Sequence, residues 1–212
     1  MKRYFYCYII LCSMLGTMML SCTGKKQNSD DSRHTVAEEQ QVRDSSILVR
    51  LVSVRDDSID VTYLDNRQKK TFCYGRAQME GKVKGGLSTG DTLSILPNSQ
   101  TQHVDAVINV SELVGKWFYD QAQHRGFQFG HGGALSSINM QNVSFRNWFV
   151  RNGELVIHYV DVQQVARHGQ QYWIDNSSIE RLDKDELVLR FRDTLYHCRH
   201  LQAPVKFRFG SK

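Results

Sequence analysis

Histidine, cysteine and carboxylate side chains are the groups in this 212-residue chain that could bind a metal or move a proton, and their spacing decides whether they can. The densest group is His197-Cys198-Arg199-His200. On a strand successive side chains point to opposite faces, so His197 and Cys198 diverge and only Cys198 and His200 share a side. His124, His131, His158 and His168 are scattered. Asp56-Asp57 and Asp183-Lys184-Asp185-Glu186 lie in turn sequences and read as solvated carboxylates. There is no Gly-x-Ser-x-Gly, no His-Glu-x-x-His and no Cys-His motif context. The glycines of GKVKGGLSTGD lack phosphate-loop spacing and a following Lys-Ser/Thr, so they are turn glycines. The expectation is a protein that is not an enzyme, with no metal site and no cofactor.

One thiol has a distinctive setting. Met1-Lys2-Arg3 is followed by an apolar stretch from about Tyr4 to Leu20, then Ser21 and Cys22. A basic start, a short apolar core and a small residue before the cut describe a secretory signal. With cysteine directly after the cut, the segment resembles the signal of bacterial lipoproteins. That resemblance implies removal of residues 1–21, a diacylglycerol on the Cys22 thiol and an acylated amino terminus. The membrane partner is then reached through lipid, and several acyl chains make the anchoring stable, each buried methylene adding roughly 0.8 kcal/mol. The implied address is the outer membrane, on its periplasmic or its cell-surface face. An uncleaved anchor helix is the alternative. Residues 22–45, with almost no apolar periodicity, form a flexible tether, because such a composition cannot bury enough surface to offset ordering entropy.

Charge excludes one class of partner. The whole chain carries +5, and loss of Lys2 and Arg3 with the signal leaves +3, with no dense Lys/Arg block. Nucleic acid is therefore not an expected partner. Of five cysteines, Cys7 and Cys12 leave with the signal and Cys22 is lipidated, so Cys73 and Cys198 remain, either paired or as two buried thiols. Nothing in the sequence fixes an oligomeric state.

The rest of the chain reads as all-β, in two units. Over residues 46–110, Ile47 to Val54 is an apolar strand, Arg55 to Ser58 a turn, and Ile59, Val61 and Tyr63 alternate onto one face. Further strands are expected at Lys70 to Tyr74, Asp91 to Leu96 and His103 to Val110. Five short strands make a small β-barrel or sheet. Gly86-Leu87-Ser88-Thr89-Gly90-Asp91-Thr92-Leu93 looks like the turn-then-strand of OB-like barrels.

Over residues 111–204, about eight strands with short turns are enough to close an up-and-down antiparallel barrel. Asn152-Gly153 is a two-residue hairpin turn, since both positions take positive φ. Leu113-Val114-Gly115-Lys116-Trp117 resembles the Gly-x-Trp start of lipocalins and of the lipocalin-like domains of Bacteroidetes-type outer-membrane lipoproteins. The resemblance implies a barrel whose tryptophan closes the floor. Alternation gives an inward set of Trp117, Tyr119, Phe127, Phe129, Phe145, Phe149, Leu155, Ile157, Tyr159, Leu187, Leu189 and Phe191. Residues 205–212 form a C-terminal tail.

An eight-stranded barrel can hold one small ligand or be filled by its own side chains. If it binds, the ligand is small and apolar or amphipathic, with Trp117, Phe129, Tyr159 and Phe191 as apolar walls and His131 or Arg190 as the polar anchor. If it is filled, the chain is an envelope structural or interaction protein.

Overall fold

A computed structural model describes residues 45–169 and 171–200. The signal segment, Cys22, nearly all of the tether and the C-terminal tail lie outside the described residues. Fourteen strands and three short α-helices are described, and these residues belong to one compact unit.

Strands β1 (Ile47–Arg55), β2 (Ser58–Tyr63), β3 (Lys69–Cys73), β4 (Val83–Lys84), β5 (Thr92–Pro97) and β6 (Val104–Asn109) form a sheet in the order β3-β2-β1-β5-β6-β4. All pairs are antiparallel except β4–β6. The two-residue β4 falls in the glycine-marked stretch, where no strand is expected from sequence.

The far edges of the sheet curl toward each other. The end of β3 meets the chain just before β6 through a parallel bridge, Cys73 to His103, and the Cys73 N–H donates to the Gln102 carbonyl at 2.9 Å. β1 pairing with both β2 and β5, and β3 closing on β6, is the partly open five-stranded arrangement of an OB-like barrel. Helix α1 (Gly75–Met79) follows β3 and places Ala77 against the core. Alternation puts Val49, Leu51, Ile59, Val61, Leu93 and Ile95 into that core beside Phe72.

Helix α2 (Val110–Leu113) links the two β regions. Its N-cap, Asn109, is fully buried and accepts from the Glu112 N–H at 3.0 Å. The Asn109 amide donates to the Gly86 carbonyl at 2.6 Å and to Asp91 Oδ2 at 2.8 Å. One side chain thus ties the glycine loop, the entry to β5 and the start of the second region.

That region is a meander of β7 (Gly115–Asp120), β8 (Arg125–Phe129), β9 (Leu135–Ile138), β10 (Val143–Arg151), β11 (Glu154–Asp161), β12 (Trp173–Leu182), β13 (Glu186–Phe191) and β14 (Thr194–Arg199). Helix α3 (Val162–His168) connects β11 to β12. Every neighbour is antiparallel and sequential, and β14 returns to β7 through Arg199 and Phe118. The remaining seam, between β9 and β10, is spanned by a bridge from Ala134 to Asn147 and by Ser137. The Ser137 hydroxyl donates to the Val143 carbonyl at 2.7 Å and accepts from the Phe145 N–H at 3.1 Å. The result is a nearly closed eight-stranded barrel.

Two local features set its shape. Asn152 and Gly153 have φ of 51° and 78°, the left-handed pair that a tight β10–β11 hairpin needs. Gly126 lies where β8 crosses β7, and a Cβ there would collide with the Trp117 carbonyl.

Candidate functional site

The barrel interior is filled. Trp117, Phe127, Phe129, Phe145, Tyr159 and Phe191 belong to one buried cluster with Leu155, Ile157, Leu187 and Leu189. Their rings touch in series. Phe127 lies 5.3 Å from Phe145 in a tilted contact, and Phe191 lies 5.2 Å from Phe145 and 5.0 Å from Tyr159, both edge-on. Aromatic pairs favour such edge-to-face contacts. Burial pushes the phenols of Tyr119, Tyr159 and Tyr196 up, because the charged form loses its water. It pushes the Cys198 thiol up to about 12, so this cysteine is an inert core group. Cys198 and Cys73 are both free and do not pair.

Trp117 sits at the floor, as its position implies. Its indole N–H donates to the Leu113 carbonyl at 2.9 Å, and its ring stacks on His200 at 3.9 Å. Three of the proposed ligand walls, Phe129, Tyr159 and Phe191, share this packed cluster with it, and all four are buried.

The two proposed anchors part company. Arg190 follows Leu189 and precedes Phe191, both inward, so strand parity turns it outward. There it meets Glu180 at 3.0 Å, and it is not an interior anchor. His131 lies in a 3-10 turn (His131–Gly133) after β8 rather than on the strand, and it faces an open cleft outside the barrel.

Phe149 departs from the inward set for a related reason. A β-bulge between Phe145 and Asn147 inserts one residue into β10, so Trp148 pairs with Ile157 and faces the core. Phe149 is moved to the outer face, where it meets His158 edge-on at 5.4 Å.

The cleft that His131 borders has a volume of about 710 Å³ and lies where the first β region meets the floor end of the barrel. Its floor is the outer face of β1 and β5, where Leu48 pairs with Ser94 and Arg50 with Thr92. One side is α2, contributing Val110, Ser111 and the following Val114. The facing wall is β10 at residues 148–150, which turns Phe149 outward into the cleft, with the turn at 131–133. Arg50 Nη1 donates to the Gly90 carbonyl at 2.7 Å, and the Trp148 indole N–H donates to the Gly130 carbonyl at 3.3 Å. The junction is pinned by further bonds, from the Gly153 N–H to Ser46 Oγ at 3.0 Å and from the Ser45 N–H to Asn152 Oδ1 at 3.0 Å.

None of the cleft residues except His131 is legible as a site from sequence. One signal is present. Ile47 to Val54 is nearly continuous in apolar residues instead of alternating, and the structure leaves Leu48 and Val52 exposed on its outer face.

An eight-stranded up-and-down barrel floored by a tryptophan after a Gly-x-Trp start defines a lipocalin-like domain. Residues 109–199 match the model of the lipocalin-like family. Among solved structures, the chain is similar to a lipocalin-like protein from Bacteroides thetaiotaomicron VPI-5482, with 23% identity, 43% of this chain and 97% of that chain covered, and a TM-score of 0.36. No curated protein matches the chain.

Proposed function

We propose that this protein is an exported, lipid-anchored binding protein, without enzymatic activity, that takes a small apolar or amphipathic ligand in the cleft between its two β regions. The observation that carries this reading is the 710 Å³ cleft beside a filled barrel. Its size lies within the range of small-molecule sites, and it combines an apolar wall with a few polar groups. The lipocalin-like domain favours a small ligand by analogy of fold, while the packed interior puts the ligand outside the lumen. Export and anchoring rest on the sequence from Met1 to Cys22. Among the described residues no helix is long and apolar enough to cross a membrane.

The packed interior also favours a second reading, an envelope interaction protein with no small ligand. Native mass spectrometry of residues 23–212, purified from the periplasm of a heterologous host and followed by organic extraction, separates the two. A stoichiometric co-purified apolar molecule that is lost in Leu48→Trp supports the cleft. Leu48 is half-exposed at the cleft floor, so the larger ring fills the cleft without entering the core. A clean apo mass, with no stabilisation by a fatty-acid panel, leaves the interaction reading.

A further inference from the structure

The charge inventory of the cleft is one-sided. Arg50 is the one permanently charged side chain that lines it, and no aspartate or glutamate does. Ser46, Thr92, Ser94 and Ser111 supply hydroxyl groups, and the backbone at Gly132 and Gly133, with φ of 72° and 85°, carries no side chain that would cover it. Five other arginines lie against carboxylates: Arg55 on Asp60, Arg76 on Glu80, Arg181 on Asp183, Arg190 on Glu180 and Arg192 on Asp161. Arg50 instead bonds to a backbone carbonyl, and no carboxylate pairs with it among the described residues. A guanidinium carries five N–H donors in a fixed fork, so one bond to the Gly90 carbonyl orients the group and leaves donors over.

The apolar side of the cleft lies opposite. Phe149 is the outward-facing side chain that the barrel strand β10 brings to it, while Arg50 and Thr92 come from the cross-strand pair of the other region. An occupant that spans the cleft meets an apolar wall at one end and a cation with hydroxyls at the other.

We propose that the cleft selects an amphiphile with a single anionic head, held by Arg50 and the neighbouring hydroxyls, with its apolar body against Phe149, the outward-facing side chain of β10. This rests on the cleft being the ligand site. The ligand class is a carboxylate, sulfonate or phosphate on an apolar body, supplied as a free acid or as a membrane lipid. A charge-assisted hydrogen bond is the stronger kind, so the anionic head adds about tenfold in affinity over the same body without it.

The test uses residues 23–212 and two fluorescent probes that differ by one sulfonate, 8-anilinonaphthalene-1-sulfonate and N-phenyl-1-naphthylamine. The expected result is binding of both, about tenfold tighter for the sulfonate. In Arg50→Gln the two affinities converge to within about twofold while the neutral probe holds its own. Arg50 is exposed, so this variant folds, and an unchanged melting temperature verifies it. Leu48→Trp loses both probes. Equal affinities in the natural chain overturn the anionic head and leave the cleft as a ligand site. A sulfonate preference that survives Arg50→Gln likewise overturns the assignment of the head to Arg50. Binding of neither probe sinks the cleft reading itself. Competition then names the source. Displacement by laurate in solution supports a free acid, displacement by phosphatidylglycerol vesicles supports a membrane lipid, and displacement by neither overturns the amphiphile class.

Discussion

The barrel interior and the junction cleft are built from similar residues and have opposite consequences. Trp117, Phe127, Phe145 and Phe191 face one another across a closed sheet and leave no room between them. Trp148, Phe149 and Val150 lie on a strand that faces a second sheet, and the mismatch between the two surfaces leaves about 710 Å³. The fold therefore does not locate the site. A barrel of this type can enclose a ligand or be plugged. Here the aromatic side chains serve stability inside, and the proposed binding site lies at the seam with the first β region.

The largest effect that sharpens this contrast is in the interior. Phe127→Ala removes a fully buried ring and is expected to cost about 3–5 kcal/mol in urea unfolding. A loss below about 1 kcal/mol would mean that the lumen is loosely filled and able to admit a ligand.

A smaller loss is expected at the linker. Asn109→Ala removes the N-cap of α2 and the donor to the Gly86 carbonyl and the Asp91 carboxylate, which costs about 1–2 kcal/mol. Because Asn109 fixes the floor to α2, neutral-probe affinity falls with it. An affinity that held in a destabilised variant would separate the cleft from this linker.

Acid should act on the first sheet, beside the cleft. Asp60 on β2 accepts from Thr71 and Ser53 and pairs with Arg55, which together hold its carboxyl well below the usual range. A folded-state pKa that is depressed contributes stability above the unfolded value of about 3.9, and that contribution disappears as pH falls below it. The melting temperature of the natural chain should therefore drop between about pH 5 and pH 3 by more than that of Asp60→Asn. Equal drops would place the acid sensitivity elsewhere.

The smallest stability effect is expected from Leu48→Trp, within about 0.5 kcal/mol, since the residue is half-exposed. Its value lies in the separation: probe binding is lost while unfolding is unchanged. Retained binding would move the ligand away from the cleft.

Strand order, turns and core were legible in the sequence because each rests on a local rule. Asn152-Gly153 marks its hairpin through positive φ, and Ile59, Val61 and Tyr63 mark their face through parity. The lipocalin-like start at Gly115 and Trp117 gives the floor. What parity could not foresee was the bulge in β10, which shifts the pattern by one residue and exchanges Trp148 for Phe149. His131, expected as an anchor, shares the parity of Phe127 and Phe129, but the chain leaves the strand before it. Arg190 shows the opposite error, since parity with Leu189 and Phe191 already turned it outward. The cleft was illegible because it joins β1, β5, α2 and β10, which are far apart in sequence, and each contributes residues that read individually as surface or strand.

The most direct test is an amide and indole chemical-shift map of residues 23–212 titrated with N-phenyl-1-naphthylamine. Shifts confined to Leu48, Arg50, Thr92, Ser111 and the Trp148 indole are the expected result. Shifts centred on Phe127, Phe191 and Tyr196, with the cleft unmoved, would place the ligand in the lumen and contradict the account.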